Sequence, residues 1–131
     1  MIRRPPRSTL DRSSAASDVY KRQGEWIGAF CLSEPEAGSD ATSQRTMAID
    51  QGDHYLLNGT KNWITNGGTS RIHLVIAQTD TSLGHRGISV FIVDTSWPGV
   101  VIGAKEDKLG IRSSDTHTIM YTDVKVPKEN R

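Results

Sequence analysis

The 131-residue sequence predicts an all-β fold, a closed or sandwiched antiparallel sheet. The first observation behind this prediction is a series of short runs rich in β-branched and aromatic residues, from which we expect seven or so strands. The second is that glycine, proline, asparagine and aspartate residues separate these runs. The third is that no window carries apolar residues at the 3.6-residue spacing of an amphipathic helix. We therefore expect almost no helix beyond a turn or two.

Turn residues divide the predicted strands from one another in chain order. Asn58-Gly59 is the strongest hairpin signal of the chain and predicts a two-residue turn inside the run from His54 to Thr65. Residues 51–53 and 97–99 are predicted turns, and residues 80–86 are a predicted exposed loop. The β-prone runs cover residues 29–32, 44–50, 54–57, 60–65, 71–79, 87–93, 100–102, 116–121 and 123–126.

Residues 1–23 differ in composition from the rest of the chain. They are rich in arginine and serine, contain two adjacent prolines and show no apolar periodicity. Such a segment buries too little apolar surface to offset the entropy of ordering, so we predict disorder. The string resembles a translated sequencing adapter or another cloning or assembly scar, and an organellar transit peptide is the alternative. We place a single folded domain at residues 24–131.

Charge and cysteine content limit the classes of partner and compartment. Residues 1–23 hold six basic and two acidic residues, so of the 16 basic and 15 acidic residues of the chain, ten and thirteen remain for residues 24–131. This slightly acidic body argues against nucleic acid as a partner. No apolar run approaches the roughly 20 residues that span a bilayer, and no secretion signal is visible. Cys31 is the single cysteine, which we interpret as a small buried hydrophobe.

Residues 29–42 form the first segment that could carry a ligand. Gly38 permits close backbone approach, and Ser33 and Ser39 offer short polar side chains. Taken by itself, the segment fits a capped turn leaving a strand better than a ligand site. Glu34 and Asp40 fit turn-stabilising or helix-capping roles better than a catalytic carboxylate pair. The four histidines lack metal-ligand spacing, and we expect them on exposed strands or loops: His54, His73, His85 and His117.

Several ordered motifs resemble the acyl-CoA dehydrogenase family, and the resemblance extends over essentially all of residues 24–131. They are CLSEP at 31–35 with AGSD at 37–40, NGTKNWITNGG at 58–68, GHRGISVFIV at 84–93, KEDKLGIRSSDT at 105–116 and DVKVP at 123–127. The wording LGIRSS is most similar to short-chain, butyryl-type members. Glu36 departs from the family pattern, where glycine is commoner. The resemblance implies the antiparallel, β-barrel-like middle domain of that fold, with the flanking helical domains outside these residues.

The resemblance also implies roles for seven residues. FAD would be contacted on one side by Phe30, Leu32 and Ser33, and on another part of its ring by Trp63, Ile64 and Thr65. Ser39 would contact the thioester arm of an acyl-CoA substrate. Residue types suit these roles, because a flavin ring needs a flat apolar wall and polar groups held on stiff strands. No catalytic residue is assigned, since the family's base glutamate is expected in a following helical domain.

The implied reaction of the parent enzyme is oxidation of acyl-CoA to trans-2-enoyl-CoA. The implied partners are an electron-transfer flavoprotein and further copies of the same chain, with a tetramer expected. The implied location is the bacterial cytoplasm or the mitochondrial matrix. Two alternatives remain: an acyl-CoA oxidase or other flavoenzyme of the same architecture, and a free-standing β-barrel binding module. A module for single-stranded nucleic acid would need a basic groove with stacking aromatics, which the acidic body and 6% aromatic content do not favour.

Overall fold

The computed structural model describes residues 25–131, so the predicted tail at residues 1–23 lies outside the described residues. Three short 3-10 segments are the helical elements of this part of the chain: Ala41–Ser43, Thr81–Gly87 and Lys128–Asn130. Seven strands account for the regular structure: β1 Gly28–Cys31, β2 Met47–Asp50, β3 His54–Thr65, β4 Ile72–Gln78, β5 Ile88–Asp94, β6 Val100–Lys105 and β7 Thr116–Pro127. The predicted all-β fold is confirmed.

One sheet contains all seven strands, in the order β1-β4-β2-β3-β7-β6, with β5 also paired to β4. The pairs β2–β3, β3–β7, β4–β5 and β6–β7 are antiparallel, as predicted. β1 instead runs parallel to β4, and β2 meets β4 in parallel at a single residue pair. A parallel pair needs a long connection, and here β2 and β3 lie within that connection. This arrangement places the segment that follows β1 against β3.

The predicted Asn58-Gly59 hairpin is wrong, because β3 continues straight through it. The hairpin lies one turn earlier, where the amide of Gln51 donates to the carbonyl of His54 at 2.9 Å. At Asn58-Gly59 the register against β7 shifts, and Gly59 has φ of +154°. A Cβ on Gly59 would lie 2.7 Å from the Cα of Thr46, so the glycine allows close approach of two strands. The pair therefore marks a β-bulge rather than a turn.

Alternating side chains from most of the strands form one hydrophobic core. Cys31 is fully buried, as predicted, and burial raises the pKa of its thiol to about 11. Trp97, from the predicted turn at residues 97–99, packs against the edge of the core. The central buried members are Ala29, Cys31, Ala48, Tyr55, Leu57, Ile64, Val75, Ala77, Phe91, Val93, Ile119, Tyr121, Val124 and Val126.

The expectation that all four histidines are exposed holds for His85 but not for the others: His54 and His117 are half-buried, and His73 is buried. This residue lies on β4 with no exposed surface, and its Nδ1 lies 2.8 Å from the Tyr121 hydroxyl of β7. The two rings meet edge to face with centroids 6.1 Å apart. The polarity of histidine alone predicts an exposed residue. Its ring nevertheless packs well in a core when a hydroxyl group forms a hydrogen bond with one ring nitrogen.

Candidate functional site

The segment that follows β1 folds into a tight, internally bonded turn. Glu34 and Ala37 exchange two backbone hydrogen bonds of 3.0 and 3.2 Å, and the Ala37 side chain is buried. Asp40 then caps the Ala41–Ser43 segment, because its carboxylate accepts from the Thr42 amide at 3.2 Å. The capping role predicted for Asp40 is thus present. Ser39 lies exposed in this turn.

A second bulge interrupts β3 within the NWIT motif. The register against β7 shifts between Lys61 and Ile64, and Trp63 has φ of +60°. A bulky residue in this left-handed region is uncommon and strained, and such strain is frequent at ligand sites. The bulge turns the Trp63 side chain outward, where 61% of its surface is exposed. This part of β3 therefore displays a large aromatic ring on a rigid strand.

The bulge also joins the two motif segments. Because Asn62 falls out of the ladder with β7, its amide is available to another acceptor, and it donates to the carbonyl of Ser33 at 2.8 Å. Ser33 thereby lies beside the strand that carries Trp63. Residues 29 apart in sequence are thus in direct backbone contact.

A buried charged cluster lies directly behind this contact. Lys61 has no exposed surface, and its ammonium donates to the Glu34 carboxylate at 2.8 Å, the Leu32 carbonyl at 3.0 Å and Gln44 Oε1 at 3.2 Å. All three ammonium protons therefore have acceptors, which is the condition under which a buried charge is tolerated. Burial lowers the pKa of Lys61, and Glu34 opposes that effect.

Glu34 is equally well satisfied. Its carboxylate accepts from the backbone amides of Arg45 at 2.6 Å and Thr46 at 3.1 Å, in addition to Lys61. Burial raises the pKa of Glu34, but the donors from Lys61, Thr46 and Arg45 outweigh burial and hold it below the ordinary 4.5. Glu34 therefore does more than stabilise its own turn, as was predicted, because it also links the turn to β3 and to the start of β2.

The strand end beyond Trp63 is held by a third set of contacts. Asn66 donates its amide to the Asp115 carbonyl at 2.7 Å, and the Asp115 carboxylate accepts from the Gly68 amide at 2.8 Å. His117 lies 2.6 Å from the same carboxylate through Nε2 and 2.7 Å from the Gly103 carbonyl through Nδ1. These contacts hold the strand end that carries the Thr65 side chain, which is exposed.

The seven predicted site residues differ in their placement. Phe30 is 58% exposed and Thr65 is also exposed, whereas Leu32 and Ser33 are half-buried. Ile64 is 2% exposed and belongs to the core, so only its main chain could face a ligand. The structure brings Ser33 to the bulge that presents Trp63. No hydrogen bond within residues 25–131 connects Ser39 to that bulge.

The cavity nearest the cluster is too small for a large cofactor. It has a volume of about 210 Å³ and is lined by Glu34, Pro35, Glu36, Arg45, Thr46, Gly59 and Thr60. Pockets for drug-sized ligands usually measure about 300–1,000 Å³. A second cavity of about 480 Å³ is lined by Trp97, Pro98, Asp123, Lys125 and Pro127, and none of the seven predicted site residues lines either cavity.

Three residues of the cluster were missed from the sequence: Lys61, Gln44 and, as an ion-pair partner, Glu34. A lysine and a glutamate are ordinarily exposed, so their default interpretation is a solvated surface. The available signal was Lys61 itself, a charged residue two positions before Trp63 inside the β-prone run at residues 60–65.

Residues 29–124 match the protein family described as acyl-CoA dehydrogenase, middle domain. This chain belongs to the acyl-CoA dehydrogenase family. The mitochondrial short-chain specific acyl-CoA dehydrogenase of Rattus norvegicus is 50% identical over 107 residues, which cover 82% of this chain and 26% of that enzyme. The chain thus spans about a quarter of the length of that acyl-CoA dehydrogenase.

Two solved structures of acyl-CoA dehydrogenases share the fold. Butyryl-CoA dehydrogenase from Megasphaera elsdenii superposes with a TM-score of 0.83 at 49% identity, covering 86% of this chain and 30% of that one. An acyl-CoA dehydrogenase complexed with FAD from Bacillus anthracis gives a TM-score of 0.76 at 39% identity, covering 85% and 19%. These likenesses confirm the family and the middle-domain fold. Within residues 25–131, no helix is long and apolar enough to cross a membrane.

Proposed function

We propose that this chain is the part of an acyl-CoA dehydrogenase that forms one wall of the FAD site and contacts a short-chain acyl-CoA. The observation that carries the proposal is the strained, outward-facing Trp63 on the β3 bulge, joined to Ser33 of the other motif segment. An exposed aromatic ring held on a rigid strand is what a planar ligand requires.

The residues present fit FAD. Trp63 and Phe30 expose large apolar surfaces that a flat ring would cover, and the half-buried Ser33 and the exposed Thr65 offer hydroxyls for a polar rim. The main chain at Leu32 and Ile64 would complete the contact, since the Ile64 side chain is committed to the core. Ser39, exposed in the turn, would address the thioester arm of the substrate.

FAD, when bound, would supply the acceptor for the hydride that leaves the β-carbon of the acyl group. The contribution of this chain is orientation: stiff strands hold the ring wall and the hydroxyls in place, so that little reorganisation is needed. The base that removes the α-proton is a residue we place outside these 131 residues. No side chain of the described turn is therefore assigned to proton transfer.

For the whole enzyme we propose the partners and location typical of the family. An electron-transfer flavoprotein would reoxidise the flavin, and identical chains would assemble into an oligomer, with a tetramer expected. The location would be the bacterial cytoplasm or the mitochondrial matrix, because the relatives include a bacterial and a mitochondrial enzyme. An oxidase of the same architecture would differ in passing electrons directly to oxygen.

Titration of the 131-residue chain with FAD tests the proposed wall. We expect weak binding, with a Kd above about 1 μM, since one wall provides little enclosure. Trp63→Ala should weaken binding at least about tenfold, as expected for the loss of a stacked aromatic anchor. Leu83→Ala is the matched control, because Leu83 is also an exposed apolar residue but lies in the 81–87 loop. Equal affinities of Trp63→Ala and the unaltered chain would contradict the proposal.

A further inference from the structure

We propose that Lys61 is a positioning residue, which holds residues 32–34 against the β3 bulge and so sets the spacing between the two parts of the FAD wall. We call its contacts the Lys61 clasp: the ammonium of Lys61 with Leu32, Glu34 and Gln44, together with the Asn62–Ser33 backbone bond. What the wall binds rests on the proposed function. The clasp itself consists of hydrogen bonds within residues 32–62.

The clasp spans the two segments at the place where they carry the wall. Lys61 is two residues before Trp63 on β3, and its ammonium reaches the carbonyl of Leu32, adjacent to Ser33. The Asn62 amide bonds to the Ser33 carbonyl one residue away. Two consecutive residues of β3 thus grip two consecutive residues of the segment after β1. A shift of either segment would break both contacts together.

The buried charge makes this grip specific. A methionine would fill much of the same volume but could not donate to the Leu32 carbonyl. A hydrophobic residue often stabilises a core as well as a buried ion pair does, so stability alone does not explain a lysine here. The ammonium instead satisfies three acceptors, two from the turn at residues 32–34 and one from Gln44, which fixes one arrangement of the turn.

The strained backbone at Trp63 needs contacts that restrain it, and the Lys61 clasp provides such contacts. The bulge removes Asn62 and Trp63 from the ladder with β7, so that ladder does not determine their conformation. Strained residues persist only where their surroundings over-determine them. The Asn62–Ser33 bond and the Lys61 cluster restrain the bulge from the side of residues 32–34. From the other side, the Thr118 hydroxyl of β7 donates to Asn62 Oδ1 at 3.3 Å.

The test compares the double variant Lys61→Met/Glu34→Gln with two controls in the 131-residue chain. The double change removes both charges, so no unpaired buried charge is left to unfold the domain. Val126→Ala is a control for stability, because Val126 is a buried residue at the far end of β7 from the bulge. Lys108→Met is a control for losing a bonded lysine, since the Lys108 ammonium donates to Ser114 and Thr116 instead.

Two measurements are made on each variant. Amide hydrogen exchange by NMR reports the protection of Asn62, Arg45 and Thr46 relative to Val75 in the core. FAD titration reports affinity. In the double variant we expect exchange at the three amides to accelerate at least about tenfold relative to Val75, and the FAD Kd to rise at least about fivefold. Both controls should change either quantity less than about twofold once corrected for the unfolded fraction.

Unchanged relative exchange at Asn62 would overturn the clasp, whether or not FAD binds. Faster exchange with unchanged FAD affinity would overturn the positioning role and leave Lys61 as an ordinary structural residue. A failure of the unaltered chain to bind millimolar FAD would count against the proposed function, while the exchange data would still decide the clasp. The two failures are therefore distinguishable.

Discussion

The buried His73 predicts a specific loss of stability at mildly acidic pH. Burial lowers the pKa of His73 from 6.5 to about 4, since the charged ring would have to form inside the core. The side-chain partner of the ring is neutral over the same range, because burial raises the pKa of the Tyr121 hydroxyl on β7. None of the ion pairs within residues 25–131 includes His73, so no carboxylate there offsets a positive charge on the ring.

The sign and size follow from proton linkage. Below pH 6.5, His73 is protonated in the unfolded chain but stays neutral in the folded chain. The free energy of unfolding therefore falls as pH falls, and this decrease ends near pH 4. Each pH unit in this window is worth at most about 1.4 kcal/mol, which limits the total to about 3.4 kcal/mol. Between pH 7 and pH 5 the contribution of His73 is a loss of about 2 kcal/mol.

Urea denaturation of the chain at pH 7, 6 and 5 measures this loss. The window lies above the range in which the carboxylates with lowered pKa, such as Glu34 and Asp115, take up protons. In His73→Gln, the decrease in the free energy of unfolding between pH 7 and pH 5 should be smaller by about 2 kcal/mol, whatever the effect of the substitution at pH 7. His85→Gln, in the exposed loop, should leave it as in the unaltered chain. If the His73 and His85 variants lost the same amount of stability between pH 7 and pH 5, the assignment of this loss to His73 would be refuted.

Four further outcomes are expected. Gly59→Ala should destabilise the chain by about 1–3 kcal/mol in urea denaturation, because its Cβ would meet Thr46; Gly110→Ala, with open space around it, should be nearly neutral, and equal effects would contradict this. Thr65→Val in the full-length parent should slow flavin reduction in stopped-flow experiments more than it weakens substrate binding, whereas the reverse would mean the residue is misassigned. The 131-residue chain mixed anaerobically with excess FAD and butyryl-CoA should not bleach the flavin faster than a protein-free control, because a positioned base is required; faster bleaching would reveal a base within the chain. Deletion of residues 1–23 should leave the thermal midpoint unchanged, and a loss of several degrees would show a structural role.

The strands and the family could be predicted because their signals are local. β-branched and aromatic runs between turn residues marked the strand ends to within a few residues, although β3 and β7 were each predicted as two runs. The sequence motifs identified the acyl-CoA dehydrogenase family. The prediction of an Asn58-Gly59 hairpin was wrong because it used a local signal alone. That pair fits a two-residue turn in isolation, but pairing of β3 with β7 on both sides of it made a bulge more favourable.

Sequence alone thus determined the all-β fold, the order of its strands along the chain and the motif segments that carry the candidate site. Only the tertiary structure decided which polar residues are buried. Lys61 and His73 look like surface residues in sequence, because burial of a charge or an imidazole is unfavourable unless partners are present. Those partners, Glu34 and Tyr121, lie 27 and 48 residues away and are brought close only by the pairing of the strands.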